Sequence, residues 1–201
     1  MTDDRAAQMA QVQAEIENLT ESPLYAFRKE NGYHAVIGQG SLTANIMIIG
    51  EAPGATEAKR GIPFCGQSGR VLDELLASIN LDRETVYITN IVKDRPPDNR
   101  NPHKKEIRLY GPFLDRQIDI IQPQVIVTLG SFAMKFILEK FDSDQQTGKI
   151  SALHGQRIPV GASYGQVDVV ALYHPAVSLY NPGQRDTLFE DFKVLEPFVG
   201  E

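Results

Sequence analysis

Cysteine is nearly missing from this chain: Cys65 stands alone among 201 residues. That excludes a disulfide framework and any metal site built from cysteines only. It also suits a reducing compartment, and the expected setting is the cytoplasm. The opening "MTDDRAAQMAQVQAEIENL" is charged and amphipathic and lacks the apolar stretch of a secretory leader. No run approaches the roughly 20 apolar residues of a membrane span, so no membrane partner is expected. Positive charge is in short supply too, with 20 Lys and Arg against 26 Asp and Glu and a net charge of −6. Taken evenly, that argues against nucleic acid, whose counterions are displaced by Lys and Arg. The cations are unevenly placed, however. Lys59, Arg60, Arg70, Lys93, Arg95, Arg100, Lys104, Lys105 and Arg108 crowd the middle, and the acids gather at both ends. A solvated helix face and a basic rim on an acidic protein both fit.

Several signatures are absent as well. There is no G-x-x-x-x-G-K-S/T or G-x-G-x-x-G phosphate loop and no G-x-S-x-G elbow. The four histidines, His34, His103, His154 and His174, show no metal-ligand spacing.

What is present is an alternation of strands and helices. "AAQMAQVQAEIENL" predicts a helix at about 5–19, and "TESPLYAFRKENGYHAVIGQGS" reads as an irregular connection with short strand pieces. "NIMIIG", "TVYITNIV", "QVIVTLG", "RIPV" and "VDVVALYH" are strand candidates. Helical patterns follow in "GQSGRVLDELLASIN", "PHKKEIRLYGPFLDRQIDIIQ", "SFAMKFILEKF" and "RDTLFEDFKVLEPFV", with Gly111-Pro112 expected to bend or interrupt the second. The expected fold is one α/β domain over 1–201, a three-layer α/β/α arrangement around a four-stranded, mostly parallel sheet.

In such a sheet the loops after the strands meet at one edge. Here those loops are "GEAPG", "TNIVKDRPPDNR", "TLGS" and "YHPAVSLYNPGQR". Together they suit a flat polar ring. Glycines let the N–H groups of Glu51 and Ala52 approach a ligand. Phe64 offers a ring face, Asn90 an amide that donates and accepts side by side, and His174 a donor to an oxygen gaining charge. That is how an extruded nucleobase is read. Each has a plainer role alone: Asn90 as a turn cap, Phe64 as core, His174 as a satisfied strand-end histidine, Glu57 as a solvated acid.

At these residues the sequence resembles the family 4 uracil-DNA glycosylases. "GEAPGATEAKRGIPFCGQSGRVLDELL", "YITNIVKDRPPDNRNP", "QVIVTLGSFA" and "YHPAVSLYNP" match that family's motifs in order, from about Leu19 nearly to the C-terminus. The resemblance implies hydrolysis of the bond between deoxyribose and a flipped-out uracil, leaving an abasic site without strand cleavage. By it, Phe64 stacks on uracil, Asn90 reads its amide edge, and His174 with the N–H groups of Glu51 and Ala52 stabilises the O2 oxyanion. Glu51 positions water or favours the cationic sugar. Glu57 sits near C5 or shares the electrostatic work. Arg70, Lys93, Arg95, Arg100 and Arg185 are candidate DNA contacts. Leu179 or Tyr180 forms a wedge, or else both begin a packed helix. The expected partner is uracil-containing DNA, and the expected state is a monomer.

The chain also departs from the family. Its members hold a 4Fe–4S cluster through four cysteines, where this sequence has Leu19, Ser22, Asp94 and Tyr110. No cluster of that kind is expected. Apolar packing by Leu19 and Tyr110, and a hydrogen bond between Ser22 and Asp94, are expected in its place. His103, near the position of a sugar-trapping histidine in a related branch, is expected in the first turn of a helix facing solvent. The alternative it leaves is a protein that binds or covalently traps uracil-DNA without turnover. Cys65 is expected to be a packing residue.

Overall fold

A computed structural model of the chain describes residues 4–181 and 183–199, so residues 1–3, 182 and 200–201 of the expected 1–201 domain lie outside it. Strands β2 (Ile46–Gly50) and β4 (Val125–Leu129) are buried at every position. That is the mark of parallel strands covered on both faces. With β3 (Tyr87–Asn90) and β6 (Gly165–Leu172) they form four adjacent parallel strands in the order β3-β2-β4-β6.

Two antiparallel strands extend this expected four-stranded core to six. The two-residue β1 (Gln39–Gly40) pairs with β3, and β5 (Arg157–Ala162) forms a hairpin with β6. Strand β5 alternates exposed and buried residues and carries Pro159, both fitting an edge.

Helices cover both faces. On one side α1 (Arg5–Glu17), α5 (Lys104–Ile121) and α6 (Ser131–Lys140) pack over a core that includes Ile16, Met47, Ile49, Leu114, Ile126 and Ile137. On the other, α4 (Gln67–Ser78) and α9 (Gly183–Phe192) pack over Ile48, Leu72, Leu75, Val127, Leu188 and Phe192. Short helices α3 (Ala55–Arg60), α7 (Ile150–Leu153) and α8 (Val177–Tyr180) lie in the connections.

Two expectations are corrected. The connection after α1 contains a helix, α2 (Pro23–Glu30), with the Ser22 hydroxyl accepting from the Leu24 N–H and Pro23 at the first position. Ser-Pro is a helix-start pattern that the surrounding Gly and Pro punctuation obscured. Second, Gly111-Pro112 does not interrupt α5, which runs unbroken over its 18 residues. A Cβ on Gly111 would lie 3.1 Å from the Phe136 ring, so the glycine permits close packing of α6.

Candidate active site

The carboxyl ends of β2, β3, β4 and β6 share one sheet edge because all four strands are parallel. Register sets Gly50, the last residue of β2, opposite Asn90, the last of β3. A Cβ at Gly50 would fall 2.4 Å from Asn90 Oδ1 and 2.6 Å from Phe64 Cζ. The missing side chain is what lets the amide and the ring close on one point. The loop beyond is laced to β2 by Ile91 N–H to the Gly50 carbonyl (2.9 Å) and Val92 N–H to the Glu51 carbonyl (3.1 Å).

Phe64 is held in an uncommon conformation. Its φ of 47° lies in the left-handed region, which costs on the order of 1–3 kcal/mol and persists only where the surroundings impose it. They do so from two sides. Gly69 of α4 packs against the Phe64 carbonyl so closely that a Cβ there would lie 1.8 Å away. The Glu57 carboxylate accepts from the N–H groups of Cys65 (3.1 Å) and Gly66 (2.8 Å). Glu57 therefore braces the loop that presents Phe64, a role its sequence position did not disclose. The ring itself is 6 % exposed, and the His174 imidazole sits 5.7 Å from it, centroid to centroid. Cys65 is half-buried; desolvation first, then the Glu57 charge, pushes its thiol above the usual range.

His174 follows β6, and its Cβ is 3.3 Å from where a Cβ on Gly130, after β4, would stand. Burial pulls its pKa down to about 4, with the Glu57 charge opposing. The imidazole is thus neutral near pH 7. Its Nδ1 accepts from the Ala176 N–H at 3.2 Å, which places the ring proton on Nε2. Glu51, half-buried, has its carboxyl pKa raised by desolvation. Glu57, Phe64, Asn90 and His174 are thus gathered at one edge, next to Glu51 and Ala52.

Lys93 is not on this surface. It is fully buried, and its Nζ donates to Thr89 Oγ1 (2.7 Å), the Asn90 carbonyl (2.6 Å) and Gln117 Oε1 (2.5 Å). Desolvation drives its pKa well below the ordinary lysine value. The expected DNA contact is corrected: Lys93 supports the end of β3 from inside, and its motif position beside basic residues misled.

Other cations do reach the surface. Arg70 is exposed. Arg95 donates to Asn99 Oδ1 and the Tyr33 hydroxyl. Arg100 forms a paired contact with Glu106, and Arg185 meets Glu74 at 2.5 Å. Leu179 and Tyr180 on α8 are 41 % and 87 % exposed, so they do not begin a packed helix. His103 is exposed at the N-cap of α5, one residue before the expected first turn, with its N–H donating to Glu106.

The four positions of the family's cluster cysteines are filled in another way. The Tyr110 hydroxyl donates to Asp94 Oδ2 (2.7 Å) and lies 3.0 Å from the Ser22 hydroxyl oxygen. Ser22 and Asp94 are bridged by Tyr110 instead of bonding directly, while Leu19 packs half-buried against the core. Arg28, 4 % exposed, reaches Asp94 Oδ1 at 3.4 Å and the Glu17 carbonyl at 2.7 Å. These oxygens and a phenol offer no thiolates, so an iron–sulfur cluster does not fit. Among the described residues no helix is long and apolar enough to cross a membrane.

Comparisons with known proteins point to one family. The family model for the uracil DNA glycosylase superfamily matches residues 37–194. The chain is 45% identical to the type-4 uracil-DNA glycosylase of Archaeoglobus fulgidus over 166 residues, 83% of this chain and 82% of that one. It is 41% identical to the Sulfurisphaera tokodaii type-4 enzyme over 186 residues, 92% and 82% of the two chains. It is 40% identical to the Saccharolobus solfataricus type-4 enzyme over 180 residues, 89% and 81%.

Proposed function

The chain belongs to the uracil DNA glycosylase superfamily, and from that premise we propose that it hydrolyses the N-glycosidic bond of deoxyuridine in DNA, releasing uracil and leaving an abasic site. The observation that carries this is the convergence of Phe64 and Asn90 on the bare Cα of Gly50, with His174 beside Phe64. A flat ring held there meets an aromatic face and an amide that pairs with its imide edge.

Each group then has a task. Uracil leaves as an anion, so fixed donors aimed at O2 lower the barrier most. The Nε2–H of neutral His174 is one such donor, its tautomer fixed by Ala176. The N–H groups of Glu51 and Ala52 are the others. The Glu51 carboxylate, on the sugar side, orients water or offsets the positive charge that grows on the ribose. Glu57 keeps Phe64 in place and adds negative charge near His174. Extruding the base costs a few kcal/mol, which Leu179 and Tyr180 as a wedge and Arg70, Arg95, Arg100 and Arg185 at phosphates offset. No step uses an iron–sulfur cluster. The finer expectations are a monomer acting in the cytoplasm; the lone cysteine suits the second.

The test is an end-labelled oligonucleotide with one uracil, incubated with excess chelator and no iron. Repeated turnover, with breakage appearing only after hot alkali, is the expected result. A protein–DNA adduct without turnover would replace hydrolysis by covalent capture, with His103 the first residue to change. No product from folded protein would reject the activity.

A further inference from the structure

Among the described residues three large apolar side chains stand out from the surface: Phe132 at 40 %, Leu179 at 41 % and Tyr180 at 87 % exposure. Single exposed apolar residues need no explanation. These three, however, all lie on segments leaving the carboxyl ends of parallel strands, Phe132 after β4 and the other two after β6. Leu179 and Tyr180 have a task in opening the base stack. Phe132 does not.

Phe132 sits on a groove of about 640 Å³ that runs between the start of α5 and the length of α6. Phe132, Ile107 and Phe136 give it an apolar lining, and Lys104, Arg108 and Lys135 add three cations. Lys104 and Arg108 stand one turn apart on α5, both exposed. The one acid in the lining, Glu139, lies 3.7 Å from Lys135. The groove opens beside the candidate active site. Gly130, two residues before Phe132, is packed against His174, and the opposite wall begins at Pro102, where the loop from Asn90 enters α5.

An aromatic ring among cations on an open surface is the chemistry of single-strand binding, in which bases stack and phosphates are neutralised. A purely apolar partner would leave Lys104 and Arg108 without counter-charge in the groove, whose one acid, Glu139, already faces Lys135. A paired duplex would offer its backbone to the cations but no base face to Phe132. We infer that this groove holds the unpaired nucleotides flanking the uracil on the same strand, one base stacked on Phe132 and the phosphates near Lys104, Arg108 and Lys135. The placement beside uracil rests on the glycosylase activity proposed above. Its consequence is a preference for substrates whose flank is single-stranded.

The experiment measures the affinity of a fluorescent thymine oligonucleotide, which carries no uracil, for wild type, Phe132→Ala, Phe132→Tyr and the double variant Lys104→Glu/Arg108→Glu. Lys193→Glu, on the segment after α9, controls for net charge, and thermal melting verifies folding. Phe132→Ala should bind about tenfold more weakly, within the range found for losing one stacked base. Phe132→Tyr should restore binding. The double reversal should weaken binding further and flatten its salt dependence, while Lys193→Glu stays near wild type. Wild-type affinity in both Phe132→Ala and the double variant would overturn the groove, as would equal losses on a fully paired duplex. Uracil release by the same samples separates the two proposals. Release with groove-independent binding rejects only the groove; groove-dependent binding without release rejects only the glycosylase activity.

Discussion

The Ala176 N–H donates to Nδ1 of His174 at 3.2 Å, and that single bond fixes which nitrogen of the ring carries the proton. With the pKa drawn down to about 4, the ring is neutral near pH 7 and keeps its proton on Nε2, as the proposed oxyanion donor requires. His174→Ala should lower kcat by roughly 10²–10³-fold, the usual loss for one oxyanion donor. Steady-state kinetics at saturating substrate would measure this.

The same shift ties stability to pH. The folded protein binds fewer protons at His174 than the unfolded chain between its ordinary 6.5 and about 4. Its contribution to stability is therefore present above 6.5 and is lost as the pH falls through that window. Urea unfolding followed from neutral to acid pH should show a downward slope that His174→Gln reduces. An unchanged slope in the variant would remove His174 as its source.

Glu51 should trade stability against activity. Desolvation raises its pKa, so its surroundings disfavour the ionised carboxylate that the proposed role at the sugar requires. Glu51→Gln keeps the shape and removes the charge. It should raise Tm while lowering kcat by roughly 10²–10⁴-fold, as for loss of a positioned acid–base group. Calorimetry and single-turnover rates would test the two halves separately.

Asn90 and Lys93 should fail differently. Asn90→Ala should cut turnover with DNA affinity nearly unchanged, because in the proposed function the amide meets only the base. Lys93→Met leaves the Asn90 carbonyl and the Thr89 and Gln117 oxygens without their buried donor. It should destabilise by about 1–3 kcal/mol and slow turnover through a loosened strand end. Melting curves beside kinetics distinguish the two patterns.

Tyr110→Phe removes the hydroxyl that joins Asp94 to the Ser22 turn. A loss of about 1–3 kcal/mol is expected, from a buried acceptor left without its donor. Chelator should alter neither Tm nor turnover of the parent protein.

Much of this architecture follows from the order of residues along the chain. Continuous apolar runs such as Ile46–Gly50 and Val125–Leu129 mark parallel strands, because burial on both faces leaves no room for polar alternation. The loops after them carried Phe64, Asn90 and His174, so the candidate site could be assembled from chain order alone. The absence of four cysteines was equally plain. Local patterns could not say which charges face water. Lys93 reads as one more cation beside Arg95, yet it lies inside because Thr89, Gln117 and the Asn90 carbonyl converge on it from separate segments. Glu57 became a brace for Phe64 only when α3 met the start of α4. Tyr110, expected to replace iron by apolar contact, bonds through its hydroxyl to residues 16 and 88 positions away. Hydrophobic periodicity is a local property and survives in one dimension. The partner of a buried polar group is chosen by distant segments, and only the tertiary structure brings them within hydrogen-bonding distance.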